Sequence, residues 1–255
     1  MWDPGQYQRY AGERGRAFFD LVARVAASDP GQVADLGCGP GNLTMALAER
    51  WPGADVVGVD SSPEMIGAAR AACQRPRLRF ELGDLREWQP FRPVDVLVCN
   101  AVLQLVPGHL EVVRQWPGLL APGGWLAIQL PANYDQPSHA ILLGLVRSPR
   151  WQPLLAGVRL NQQAHDPAVY LDIFAQAGCE VDAWETTYLH VLAGADAVTQ
   201  WYRGTGLRPV LAALDPGPAA EFLAEYGERA QAAYPARPYG TVLPFRRVFA
   251  VARKR

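Results

Sequence analysis

The sequence predicts a doubly wound α/β fold: a parallel sheet covered on both faces by helices. Three observations carry that expectation. Short apolar runs alternate with helical patterns over the first 130 residues. The runs are near-continuously apolar rather than alternating, as strands buried on both faces are. A glycine-rich segment, ADLGCGPGNLT from Ala34 to Thr44, joins the first run to the helix that follows.

The elements read in order. From about Arg14 to Ala27, Ala17, Phe18, Leu21, Val22 and Val25 form one helical stripe behind a polar, aromatic arm containing Tyr7 and Tyr10. QVADLGC is a first strand, Gly41 to Arg50 a helix, and ADVVGVD a second strand. SSPEMIGAARAAC is the next helix: Ser61 or Ser62 caps it, Pro63 suits its first turn, and Glu64 faces the positive end of its dipole. LRFEL, VDVLVCN and GGWLAIQL are strands three to five, the last after a Pro-Gly-Gly turn at Pro122 to Gly124. Beyond Leu130 the rhythm breaks: residues 131–166 lack clean periodicity and are too long for an ordinary connection, which suggests a lid. PAVYLDIFAQAGC is a helix closed by Gly178, and EVDAWETTYLHVL a long strand. Residues from Gly194 to Tyr239 read as a mostly helical insertion, and LPFRRVFAVARKR as a last strand.

Composition narrows the function. The chain has 255 residues, 49% of them apolar and 19% charged, the profile of a globular enzyme rather than of a disordered chain. A net charge of −1 offers no field for gathering nucleic acid or an anionic membrane, so neither is expected as a partner. The start has no signal-peptide pattern and no window is apolar enough to span a bilayer, so a cytoplasmic protein is expected. The four cysteines lack CxxC spacing and read as reduced thiols; the four histidines lack metal-ligand spacing, and no metal is expected.

Gly37, Gly39 and Gly41 give G-x-G-x-G, but a dinucleotide fingerprint requires glycine where Asn42 stands, and no P-loop ending follows. Asp35 lies two residues before the first glycine, where a carboxylate repels a diphosphate and attracts a cation. Asp60 ends the second strand at the distance suited to ribose hydroxyls, and Asp84 follows the third. Singly, the glycine turn also reads as structural, Asp60 as a helix cap and Asp84 as a turn residue. Together, three carboxylates at successive strand ends describe a site for an adenosine ligand with a positive tail and no phosphates, such as S-adenosylmethionine.

VADLGCGPGNLT, GVDSSPEM and GDLREW resemble the motifs of class I S-adenosylmethionine-dependent methyltransferases. The resemblance implies a Rossmann-like seven-stranded sheet with its last strand antiparallel. It also implies a cofactor site in which Asp35, Gly37, Gly39 and Gly41 contact the amino-acid moiety, Asp60 with Ser61 and Met65 the ribose side, Asp84 and Leu85 the adenine, and Asn100 with Ala101 the methionine end. WDPGQYQRYAGERGR, AVLQLVPGH, QLPANYDQPSH, GTGLRP and LPFRRVFAVAR are similar to trans-aconitate 2-methyltransferases, in which a carboxylate is esterified; Leu105 stands where that family often has Trp. With the rhythm of elements along the chain, this gives a single methyltransferase domain over 1–255, with a cofactor-binding core at 1–130, acceptor-site insertions at 131–166 and 193–240, and returns to the core sheet at 167–192 and 241–255.

An ionised carboxylate needs no general base, so none is expected and alignment carries the rate. The carboxylates that do not react call for cations, best supplied by arginine. The candidates are Arg203, Arg208, Arg246, Arg247 and Arg14 or Arg16; Arg247 shares a strand face with Phe245 and Phe249, and each also fits a surface-paired role. Tyr7, Gln104, His139 and Trp201 complete the expected acceptor set. His190, on a face with Trp184, Thr186 and Tyr188, reads as structural or as pocket wall. Two other functions stay open: an S-adenosylmethionine-dependent methyltransferase acting on another small metabolite, whose hydroxyl or amine would require a base, and a non-catalytic S-adenosylmethionine-binding protein.

Overall fold

The computed structural model describes residues 11–73, 75–160 and 164–255. In chain order the first stretch holds α1 (Ala11–Ala23), β1 (Gln32–Leu36), α2 (Asn42–Arg50), β2 (Asp55–Asp60) and α3 (Pro63–Ala72). Next come β3 (Leu78–Leu82), β4 (Val94–Asn100), α4 (His109–Gln115), β5 (Leu120–Pro131), α5 (Pro137–Val146) and α6 (Gln152–Leu155). The chain finishes with α7 (Pro167–Gln176), β6 (Cys179–Leu192), α8 (Ala197–Arg203), α9 (Arg208–Ala213), α10 (Pro216–Ala233) and β7 (Thr241–Lys254). The seven strands form one sheet in the order β3-β2-β1-β4-β5-β7-β6. The β1–β2, β1–β4, β2–β3 and β4–β5 pairs are parallel, and β7 runs antiparallel to β5. The reversal of strand order at β1/β4 opens the crevice beyond the carboxyl ends where ligands of such sheets bind.

The chain divides into two compact units. The first comprises Gly15–Pro131, Gln163–Glu185 and Arg247–Arg255. Its core is aliphatic: Val33, Leu36, Val56, Val59, Val96, Leu97, Leu126 and Ile128 are all buried, and the α1 stripe Ala17, Phe18, Leu21 and Val22 is buried with them. The second is built on Ala132–Gln162 and Thr186–Arg246. Its core is aromatic, with Trp151, Trp201, Tyr202, Phe222, Tyr226 and Phe245 around Leu142 and Leu145.

Three local expectations need correction. The first helix stops at Ala23, not Ala27, because the amides of Arg24 and Val25 bond back to the carbonyls of Leu21 and Val22, three residues earlier, tightening the last turn. Pro122 to Gly124 is not a turn preceding β5 but an irregularity inside it: register slips between Val94↔Leu120 and Val96↔Trp125, so the strand runs from Leu120. Residues 131–166 contain α5 and α6. In α5, Ala140, Ile141, Leu142, Leu143, Leu145 and Val146 ring the helix with apolar groups, so no polar face marks its period.

Candidate active site

The glycine loop grows directly out of β1. Gly37 and Gly41 have φ of 79° and 82°, a left-handed backbone open mainly to glycine. Both are also crowded: a β-carbon on Gly37 would lie 2.2 Å from Val102 Cγ2, and one on Gly41 2.6 Å from Phe80 Cζ. The amides of Gly37 and Cys38 donate to the Val59 carbonyl at 2.7 and 3.0 Å, binding the loop to β2.

Asp60 holds the other side of the loop. Its Oδ2 accepts from the Gly39 amide and its Oδ1 from the Ser62 amide, both at 2.9 Å. One carboxylate thus joins the loop to the start of α3, where Ser62, not Ser61, is the cap, accepting from the Met65 amide. Each oxygen keeps a lone pair for a further donor. Ser61 is exposed and Met65 half-buried beside it. Asp84 accepts from the amide and guanidinium of Arg86, which hold its carboxyl below the usual range, and Leu85 behind it is buried.

Asp35 is 3% exposed, and its Oδ2 accepts from Thr44 Oγ1 at 2.6 Å. Burial pushes its pKa up to about 6; the Thr44 hydrogen bond opposes that, and the negative charge of Asp60 adds to it. Removed from water, this carboxylate is a group whose ionised form a positive ligand favours.

At the end of β4 the backbone is strained. Ala101 has φ of 57°, the one positive φ outside glycine among the described residues, at an expected cost of about 1–3 kcal/mol. Its amide donates to the Gln129 carbonyl at 2.8 Å and its carbonyl accepts from Gln104 Nε2 at 2.7 Å, so the strain is held from both sides. Asn100 Oδ1 and Gln104 Oε1 are buried with no hydrogen-bond partner.

These groups share one face of the sheet. Directly paired residues on adjacent strands point the same way, as do residues two apart on one strand. The pairs Asp35↔Gly58, Asp35↔Val98, Asn100↔Gln129, Gln129↔Phe249 and Pro131↔Arg247 therefore align Asp60, Asp35, Asn100, Gln129 and Arg247. The opposite face carries Leu36, Val59, Leu97, Cys99, Ile128, Leu130 and Val248, all apolar and buried. Along the polar row the chemistry changes sign, from two carboxylates through two amides to an arginine. Arg247 is 5% exposed and donates from Nη1 to Gln129 Oε1 at 3.2 Å. Asp35 is level with Val251 of β7, three strand spacings away (about 14 Å), and Arg247 stands four residues (about 13 Å) further along the strands, so the two are about 20 Å apart across the sheet.

In the second unit, the His139 ring meets those of Tyr134 and Tyr202 edge-on at 5.1 and 5.3 Å. Burial lowers its pKa to about 4, so it is neutral at neutral pH. Trp201 lies in the aromatic core, 4.9 Å from His190 and 5.3 Å from Phe245. Arg203 and Arg208 are exposed, as is Arg16 in the first unit. Tyr7, Tyr10 and the Arg14 side chain lie outside the described residues. Sequence reasoning missed two groups. Gln129 is signalled only as the single polar residue in the apolar run Trp125–Leu130, and Thr44 only by its place in the helix after the glycine loop.

A family model described as a methyltransferase domain matches residues 33–124, the stretch that carries the loop and four of these strands. Curated relatives extend over the whole chain. A trans-aconitate 2-methyltransferase of Streptomyces avermitilis is 52% identical over 261 residues, covering 99% of this chain and 97% of the relative. One from Rhodococcus jostii is 48% identical, with 99% of each chain covered. The chain belongs to the trans-aconitate 2-methyltransferase family. Among solved structures, the phosphoethanolamine N-methyltransferase 2 of Haemonchus contortus, in complex with phosphomonomethylethanolamine and S-adenosylhomocysteine, aligns with a TM-score of 0.59 at 14% identity, covering 98% of this chain and 56% of that one. The [4+2]-cyclase SpnF aligns with a TM-score of 0.56 at 18% identity, covering 93% and 80%. A methyltransferase and a cyclase thus share this fold.

Proposed function

We propose that this chain transfers the methyl group of S-adenosylmethionine to one carboxylate of trans-aconitate, yielding the monomethyl ester and S-adenosylhomocysteine. The observation that carries the reading is the polar row: two carboxylates at one end and a buried arginine at the other, in a chain whose family relatives bear that activity in their names.

The residues present fit such a cofactor. Gly39, at φ 54°, faces open space, Asp35 is a buried carboxylate, and Asn100 Oδ1 and Gln104 Oε1 are buried acceptors with no hydrogen-bond partner. An α-ammonium group supplies donors for these acceptors. When bound, S-adenosylmethionine brings an electrophilic methyl carbon on a sulfonium. In this reading Asp35, Gly37, Gly39, Gly41, Asn100 and Ala101 hold its amino-acid end, Asp60, Ser61 and Met65 the ribose, and Asp84 and Leu85 the adenine.

The acceptor carboxylate attacks already ionised, its ordinary pKa being near 4. No proton has to move, so orientation and charge capture supply the rate. Arg247 takes a carboxylate that does not react, and Gln104, at the end of β4, borders the reacting one. His139, with its pKa near 4, is too weak a base to serve a hydroxyl or amine acceptor at neutral pH, which favours the carboxylate. Arg203 and Arg208, as further cations, and His139, Trp201 and Tyr7, by their places in the sequence, are the other acceptor candidates. The free cysteines support a reducing, cytoplasmic setting, and no described helix is long and apolar enough to cross a membrane.

The test is transfer of labelled methyl from S-adenosylmethionine to trans-aconitate, with cis-aconitate, isocitrate and citrate alongside. Selective formation of a base-labile ester on trans-aconitate is expected. Confirmed cofactor binding with no transfer to trans-aconitate rejects this acceptor.

A further inference from the structure

We propose that Gln129 is a specificity-determining residue whose side-chain Nε2, together with the Arg247 guanidinium, forms a two-residue clamp for a carboxylate of the acceptor that does not react. The proposal rests on the carboxyl-methyltransferase reading above and extends it to a residue outside the sequence-derived site.

Gln129 lies in the middle of the sheet, on β5 between β4 and β7, with 0% of its surface exposed. Its strand neighbours Ile128 and Leu130 are apolar and equally buried. A primary amide in such a place costs free energy unless both its ends are bonded. Only one end is: Oε1 accepts from Arg247 Nη1, while Nε2 is buried with no partner.

The chemistry determines which end is which. Guanidinium nitrogens are donors only, so the atom facing Arg247 has to be the oxygen. The atom left over is therefore an N–H₂ donor, and what satisfies it is an acceptor. Gln104 gives the mirror case. Its Nε2 is committed to the Ala101 carbonyl, which leaves Oε1, an acceptor, without a partner.

Unfilled acceptors thus stand at the end of β4, and an unfilled donor stands beside the arginine of β7. Ammonium suits the first and carboxylate the second. A polycarboxylate that presents one carboxylate to Arg247 and Gln129 Nε2 meets two converging donors from adjacent strands, a geometry one arginine alone does not define. The Arg247–Gln129 bond has a second effect: by holding the amide oxygen toward the guanidinium, it keeps Nε2 available for the ligand.

The experiment is equilibrium binding of trans-aconitate to the full-length protein saturated with S-adenosylhomocysteine, measured by calorimetry for wild type, Gln129→Met and Gln129→Glu. Steady-state methyl transfer is measured in parallel. Losing a hydrogen bond to a charged group corresponds to about 10- to 150-fold. Gln129→Met is expected to weaken trans-aconitate binding and raise its KM at least tenfold, with S-adenosylhomocysteine affinity within twofold of wild type. Gln129→Glu, which places a carboxylate against the ligand's own, is expected to weaken binding further.

Trans-aconitate binding within twofold of wild type in Gln129→Met overturns the proposal, as does a wild type that binds no trans-aconitate. A wild type that binds without transferring methyl overturns the function proposed above but leaves this inference to be decided by the variants. If Gln129→Met does not fold, Gln129→Asn, which keeps the amide one methylene short of its place, decides: cofactor binding kept with trans-aconitate binding lost supports the clamp, and both kept overturns it.

Discussion

The two ends of the polar row across the sheet are built on opposite principles. At the β1–β2 end the acidic groups are already employed: Asp35 accepts from Thr44, and both oxygens of Asp60 accept from backbone amides that shape the glycine loop. At the β5–β7 end, Gln129 keeps an unused donor beside Arg247. The comparison teaches that the β1–β2 end is organised by its own backbone, and on the proposed function this predicts a cofactor end set by the fold and an acceptor end whose Gln129 donor is left for the ligand. Substitutions at the first end should therefore disturb structure and cofactor together, and those at the second should separate acceptor binding from both.

The sharpest way to break this comparison is Arg247→Met. Loss of a bidentate charge contact predicts acceptor binding weakened about 100-fold or more, with S-adenosylmethionine affinity unchanged in a folded variant. If both ligands weaken equally, the two ends are not separable. Next is Asp60→Ala, expected to weaken S-adenosylmethionine binding at least about tenfold and to destabilise the loop, since Gly39 and Ser62 lose their acceptor. Unchanged affinity in a folded variant would remove Asp60 from the cofactor site.

A smaller effect follows from Asp35. Its folded pKa, about 6, lies above the ordinary value of 3.8. The neutral form is thus favoured by the fold, and ligand-free stability declines as pH rises from about 4 through 6, by about 3 kcal/mol at most from this group. A cationic ligand favours the ionised form, so S-adenosylmethionine affinity should climb several-fold between pH 5 and 7. S-adenosylhomocysteine, which keeps the α-ammonium group assigned to Asp35, should climb alongside it. Equal, flat profiles in a titration of both ligands would detach Asp35 from the cation.

His109 provides a control outside either end. It is fully buried, bonded to Tyr170 at 2.8 Å, and its pKa is lowered to about 4, first by burial and then by His165. The unfolded chain binds this proton near pH 6.5, so stability falls as pH drops from 6.5 toward 4. In His109→Gln that part of the acid-side decline in melting temperature should shrink, leaving both ligand affinities untouched. The smallest effect is expected for Ser62→Ala, which removes the cap of α3 and costs about 1 kcal/mol in a denaturation measurement.

Much of the fold was legible because the relevant forces act locally. Leu78–Leu82 and Val94–Asn100 read as strands with the bounds they have: the first alternates apolar and charged residues with the period of a strand, and the second is a Val-rich apolar run. The positive-φ glycines of the loop were visible as G-x-G-x-G, and Asp35 and Asp60 as strand-end acids. Where local signals were weak, the reading failed. The apolar ring of α5 hid a helix, and Pro122–Gly124 looked like a turn because the chain alone does not reveal that β4 continues beside it.

The candidate site divides in the same way. By itself the sequence determined the order of strands and helices outside residues 131–166, the glycine loop, the acids at the strand ends and the family, because these depend on residue type at fixed spacing. Only the tertiary structure decided that Asp35 is buried against Thr44, that Ala101 is strained, and that Asn100, Gln129 and Arg247 stand on one face beside each other. The physical reason is register. Which residues of β4, β5 and β7 lie opposite one another is set by packing between strands far apart in the chain, and a slip of one residue would turn Gln129 to the apolar face.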